Sequence, residues 1–82
     1  MSTDVNITLS YPITCHGEVI TELHMRRPTV RDRLISERSQ GTEMEKELRL
    51  LANLCELAPE YAEDLDMVDY LKLQEALSDF LS

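Results

Sequence analysis

Glycine is nearly missing from this chain, with only Gly17 and Gly41 among 82 residues. That scarcity excludes a Gly-rich phosphate loop, which needs glycines wherever backbone N–H groups approach an anion closely. Histidine is equally scarce. His16 and His24 fall on the tip and the polar face of an expected hairpin, and no Ser or Cys carries a motif that would activate it as a nucleophile. Cys15 and Cys55 are too few and too far apart for a zinc ribbon or a redox motif. Cys15 sits beside His16, but two further ligands at suitable spacing are missing. Asp64, Asp66 and Glu75 occupy three positions of a calcium loop, yet Val68 stands at the fifth and Asp69 where glycine must make the turn. A capped helix explains those acids better. The reading is therefore not an enzyme, with no cofactor and no metal.

Long apolar runs are also absent. None approaches the roughly 20 residues that span a bilayer, and the opening MSTDVNITLS lacks both a charged n-region and an apolar h-region. The expectation is a cytoplasmic protein that enters no membrane, in which Asn6-Ile7-Thr8 is a strand fragment and not a glycosylation site. Neither a repeat nor a domain boundary is visible, so residues 1–82 are expected to form a single domain. A chain this short buries roughly 60% of its unfolded surface. A partner, or a homo-oligomer, is accordingly expected.

What is abundant is acid, and it is unevenly placed. Residues 1–41 balance five Arg against Asp4, Glu18, Glu22, Asp32 and Glu37. Residues 42–82 set Lys46, Arg49 and Lys72 against eleven acids and so carry the whole net charge of −8. That half argues against nucleic acid as the partner, because phosphate contacts need a cationic surface. It favours solubility or a partner with a basic face.

The pattern predicts an α+β fold, a two-stranded antiparallel hairpin followed by three to four helices packed on it. Val5, Ile7, Leu9, Tyr11 and Ile13 alternate with polar residues, and Val19, Thr21, Leu23 and Met25 repeat the alternation, giving a hairpin over 5–25. A two-residue His16-Gly17 turn would mix the faces. A three-residue loop pairs Ile13 with Val19, Leu9 with Leu23 and Ile7 with Met25, and is the expected solution. Pro12 marks an edge there. Thr29 with Asp32 then opens a helix over 30–39, with Val30, Leu34 and Ile35 inward and Gly41 as the stop. Its cations, with Arg26 and Arg27 before it, are either a solvated face that neutralises acids of the second half or a grip on an acidic partner.

The central segment is the organising element. Thr42 and Glu45 form a capping box at the start of a helix over 43–57, which Pro59 stops. One stripe holds Met44, Leu48, Leu51, Ala52 and Cys55; a second holds Leu50, Leu54 and Leu57. More than half the circumference is apolar, so the helix needs cover from two directions, by the hairpin and by the last helix. After a short helical turn at 59–64 and an apolar staple at Leu65, Asp66 caps a helix over 67–81. Its inward stripe is Tyr70, Leu73, Leu77, Phe80 and Leu81, opposed by Asp69, Lys72, Glu75 and Asp79. Val68 and Leu71 lie off that stripe, either packed under the 58–65 connection or exposed as partner contacts.

In order and spacing these pieces resemble the Mu- and P2-type phage tail assembly chaperone family. The matching portions are ITLSYPI with a Gly-containing turn, VITELHMRRPTVRDRL, a hydrophobic helix ending in LCELAPE, and LDMVDYLKLQEALSDFL. The most specific are L-x-x-R-x-P-T-V-x-D from Leu23 to Asp32 and L-x-x-x-D-Y-x-x-L-Q from Leu65 to Gln74. Cys15-His16-Gly17 departs from the Asp-Gly style of tip, which touches only the end of the hairpin.

The resemblance implies a protein that binds the tape measure protein, keeps it soluble and helps recruit the tail tube protein during tail morphogenesis. It implies no ATP, no catalysis and absence from the mature virion. The family brings no catalytic residues; the partner-binding candidates read from this chain are Val68, Leu71, Arg27 and Arg31. Two other readings stand beside it: a small acidic regulator that mimics nucleic-acid charge to block a basic protein, and a structural tail component retained in the particle.

Overall fold

In the computed structural model, which describes residues 4–82, a two-stranded antiparallel hairpin is followed by four helices, an α+β arrangement. Strands β1 (Val5–Cys15) and β2 (Glu18–Met25) form because apolar side chains alternate along both, and Ile7, Leu9, Ile13, Leu23 and Met25 are buried on one face. The register differs from the expected one. Cys15 pairs with Glu18, Thr14 with Val19 and Ile13 with Ile20, so the loop is the two-residue His16-Gly17 turn. Both turn residues have positive φ, 52° and 80°, the type I′ geometry whose twist matches the strands it joins.

The mixing of faces that such a turn would cause is repaired further along. Beyond an irregularity between Thr8 and Ile13 the pairs are Thr8–Glu22, Ile7–Leu23, Asn6–His24 and Val5–Met25. Leu9, Ser10, Tyr11 and Pro12 stand opposite Thr21 alone, and this bulge slips β1 by enough to bring Ile7, Leu9 and Ile13 onto the buried face with Leu23 and Met25, while Val5, Tyr11 and Val19 stay exposed. Pro12 fits a bulge because it has no N–H to leave unpaired.

Helix α1 (Val30–Arg38) starts as read. Thr29 caps it, and Asp32 closes the capping box by accepting the Thr29 N–H. Its polarity is inverted. Asp32 and Ser36 are buried, while Val30, Leu34 and Ile35, expected inward, are exposed at 78%, 45% and 54%. Polar anchors decide the orientation. The Asp32 carboxylate accepts two hydrogen bonds of 2.7 Å from the Arg26 guanidinium and one of 3.1 Å from the Asn53 amide, and Ser36 Oγ donates to the Lys46 carbonyl at 2.8 Å. The helix ends at Arg38 with Ser39 as its cap, ahead of Gly41.

Helix α2 (Glu43–Leu54) has the Thr42–Glu45 capping box and is the centre of the core. Leu50, Leu51, Ala52, Leu54 and Cys55 are buried, covered by the hairpin on one flank and by α4 on another. Met44 is not part of that stripe and is exposed. The helix stops before 57, and Pro59 is not the reason. Glu56 turns left-handed at φ 54°, and the Leu57 N–H reaches back to the Ala52 carbonyl at 2.8 Å, closing the end. Pro59 instead begins the single turn α3 (Pro59–Ala62).

Helix α4 (Met67–Leu81) is capped by Asp66, whose carboxylate accepts the Val68 N–H at 3.0 Å. Tyr70 and Leu73 are buried, with Leu77 and Phe80 half-buried beside them, but Leu81 at the foot of the stripe is exposed. The larger correction is Asp69. Expected on the solvent side, it is completely buried.

Candidate functional site

The bulge in β1 explains Asp69. Residues that drop out of a ladder leave N–H groups without partners, and buried ones must be satisfied. The Asp69 carboxylate accepts the N–H groups of Ser10 at 2.8 Å and Tyr11 at 3.0 Å. Lys72, one turn on, lies 3.3 Å from that carboxylate and donates to the Thr8 carbonyl at 2.9 Å and to Ser10 Oγ at 2.7 Å. Burial works against the Asp69 charge and is the largest single influence. The two N–H donors and Lys72 together outweigh it and hold the carboxyl below its ordinary range. Strand β1 is thus clamped to the first turns of α4, and its outer edge there is occupied, not open.

Away from the clamp the two elements diverge. A cleft of about 460 Å³ opens between the start of β1 and the last turns of α4. Val5, Ile7, Ala76 and Phe80 give it apolar walls, with Arg27 and Lys72 on the rim against Glu75 and Asp79. The Arg27 guanidinium stands 5.9 Å from the centre of the Phe80 ring, close enough for a cation–π contact.

Two further apolar openings flank α2. One, of about 410 Å³, lies between α1 and the end of α4 and is lined by Pro28, Val30, Leu50, Leu77 and Leu81, with Arg33 at its edge. The other, of about 290 Å³, is rich in methionine. Met44 and Leu48 of α2 face Leu65, Met67 and Tyr70 across it, with Glu45 and Glu63 at the rim.

Of the sequence-derived candidates, Val68 and Leu71 are exposed at 47% and 54% on α4 and do not pack under the connection before it. Arg27 lines the β1–α4 cleft, whereas Arg31 is exposed on α1. The structure therefore places only Arg27 of the four at that cleft, with Val68 and Leu71 exposed nearer the start of α4 and Arg31 on α1. Sequence reasoning missed Val30, Leu34, Ile35, Met44 and Leu81 as surface, because apolar residues at helical spacing read as core. The available signal was the pairing of Arg26 with Asp32 across one turn, which demands that α1 turn its acid inward.

Cys55 is buried, and burial pushes its thiol up to about 11, so it stays protonated and inert. Among the described residues no three His, Cys, Asp or Glu side chains stand close enough to hold a metal ion, and no helix is long and apolar enough to cross a membrane. What the surface offers is apolar clefts with charged rims, suited to binding other polypeptides.

Compared with known proteins, residues 6–82 match a family model described as phage tail assembly chaperone proteins, E, or 41 or 14. No curated protein and no solved structure matches the chain.

Proposed function

This chain belongs to the phage tail assembly chaperone family, and we propose that within that role it binds and solubilises the tape measure protein and helps recruit tail tube subunits. It acts by binding alone, without ATP, in the host cytoplasm, and leaves before the virion is complete. The observation that carries this reading is the cleft between β1 and α4, with Phe80 and Ala76 exposed to it and charges of both signs around it. An amphipathic helix of a client laid there would cover the apolar walls and meet Arg27 and Lys72 with acids, Glu75 and Asp79 with bases. Val68 and Leu71, exposed nearer the start of α4, would add apolar surface beyond the cleft. The acidic second half keeps such a complex in solution.

Co-expression with the tape measure protein tests the proposal. The client should move into the soluble fraction and copurify with the wild-type chain, and Val68→Asp or Leu71→Asp should reduce both without unfolding the chaperone, since both are exposed. No gain in client solubility and no copurification would overturn it. Purified particles examined for this chain should lack it; its stable presence would favour a structural tail component instead.

A further inference from the structure

We infer that the β1–α4 cleft selects among client segments by a one-sided pattern of charge, an inference that rests on the cleft being where the client lies. The segment it takes is an amphipathic helix with two bases four residues apart on one flank and an acid at the end that reaches Phe80. Four charged residues line the cleft, but they are not equally available. The Lys72 ammonium has three N–H groups. It donates to the Thr8 carbonyl and to Ser10 Oγ, and the Asp69 carboxylate, 3.3 Å away, takes the third. Lys72 therefore draws an acid toward the cleft but has no donor left to grip it. Arg27 is different. Among the described residues its guanidinium makes no ion pair or hydrogen bond, and its one contact is with the Phe80 ring. Glu75 and Asp79 are exposed and likewise without an ion-pair partner among the described residues.

Placement turns these three free charges into a pattern. Glu75 and Asp79 are one turn apart on the α4 wall, the spacing at which two bases four apart on a facing helix can meet both. The β1 wall carries no charge. Its Asn6 side chain is engaged by His24, and its Thr8 carbonyl by Lys72. Ala76 and Phe80 lie between the walls as an apolar floor, and Arg27 stands over the far end of that floor, 5.9 Å from the Phe80 ring centre. The ring covers one face of the guanidinium and leaves its N–H edge for a carboxylate, which a planar fork can hold by two bonds. A helix with the opposite signs would set acid against Glu75 and Asp79 and base against Arg27. The apolar floor would accept either helix; the charges reject the second.

Fluorescence anisotropy of the purified full chain with labelled synthetic peptides tests this without any tape measure protein. The peptides share one leucine face and a length of about 18 residues, enough for five helical turns. The matched peptide carries two lysines four apart and a glutamate at one end, the reversed peptide exchanges their signs, and the neutral one has glutamine at all three places. At about 0.05 M salt the matched peptide should bind about tenfold more tightly than the reversed one, and about 0.5 M salt should close the gap to about twofold. Overall acidity is separated from the cleft by exchanging its charges. Arg27→Glu with Glu75→Lys and Asp79→Lys alters the net charge of −8 by only two units, yet should make the reversed peptide the tighter one. Arg27→Gln alone should weaken the matched peptide about threefold and leave the neutral one unchanged. The inference is overturned by no binding of any peptide up to about 1 mM, by equal binding of all three, or by a preference that survives the triple exchange. An equal loss for every peptide in Arg27→Gln would also overturn it, as would a matched peptide that binds no worse with proline at its centre. Copurification of the tape measure protein with peptides bound alike would sink this pattern alone. Discrimination among peptides without copurification would sink the client and leave the preference of the cleft standing.

Discussion

Replacing Asp69 by alanine separates two accounts of the same residue. If it were a solvated acid in the first turn of a helix, its loss would cost about 0.3–1 kcal/mol. In the structure it is fully buried and accepts two backbone N–H groups from the bulge of β1. Hydrogen bonds to a charged acceptor are worth about 1.5–3 kcal/mol each, and the donors left behind in Asp69→Ala would have no partner. Lys72 would keep the Thr8 carbonyl and Ser10 Oγ, so its loss is small. Removing the carboxylate also removes the cost of burying it, which brings the net expectation to about 3 kcal/mol. A domain of 82 residues has roughly 4–12 kcal/mol in all, so the variant should lose a quarter or more of its stability. Asp69→Asn keeps one acceptor and should cost about 2 kcal/mol. Urea unfolding followed by far-UV circular dichroism is the assay, since the chain has no tryptophan to report by fluorescence. A midpoint shift equivalent to less than about 1 kcal/mol, at unchanged slope, would refute the clamp.

Asp32→Ala removes the acceptor of Arg26, Thr29 and Asn53 and should cost about 2 kcal/mol by the same assay, less than a deeply buried pair because the Arg26 side chain is 36% exposed. Stability should also fall in acid. Hydrogen bonding from Arg26, then from Thr29, holds Asp32 well below the usual carboxylate range, and Asp69 is likewise low. The unfolded chain therefore takes up protons first, so their stabilisation is complete above about pH 5 and is lost progressively below about pH 4. Urea midpoints measured from neutral pH downward should show that decline, with a shallower slope in Asp69→Asn; a flat profile would contradict it. Glu56→Gly, at a left-handed position on the surface, should gain about 1 kcal/mol by thermal or urea unfolding. Leu34→Lys should change stability by no more than about 0.5 kcal/mol, against the 2–5 kcal/mol of a large-to-small change at an inward leucine.

Much of the fold is written in local chemistry and was legible from it. The Thr29–Asp32 and Thr42–Glu45 capping boxes, Asp66 as a cap, Pro59 at the start of a helical turn and the alternation in both strands each depend on neighbours in sequence. What the sequence hid depends on residues far apart. The turn at His16-Gly17 and the apolar face of β1 make opposite demands on register, and the bulge that reconciles them shows only as a slip between Thr8 and Ile13. Asp69 is buried because that bulge, some sixty residues away, needs an acceptor. For the same reason the candidate surfaces were half legible. Val68 and Leu71 stood out by falling off a stripe, whereas Val30, Leu34 and Ile35 looked like core until Asp32 was seen to claim the inner side of α1.

The orientation of α1 is then an energetic choice that bears on function. Rotated by half a turn, the helix could bury Val30, Leu34 and Ile35, each worth about 1.5–3 kcal/mol. It would forfeit the fork between Arg26 and Asp32, the Asn53 contact and the Ser36 bond to Lys46, and leave Arg26 and Asn53 without their acceptor. The polar contacts set the direction and the apolar burial is deferred. It is recovered only when another polypeptide covers the ridge. A small chain that must both stay soluble and hold other proteins gains from that division: carboxylates fix its elements from within, and its aliphatic side chains remain available outside. Exchanging the roles, by Asp32→Leu with Leu34→Asp, should keep the helix and cancel the surface. The doubly substituted chain should stay helical over α1 but unfold at a lower urea concentration than the wild type, because Arg26, Thr29 and Asn53 lose their acceptor; an unchanged midpoint would show that the polar contacts do not set the direction of the helix.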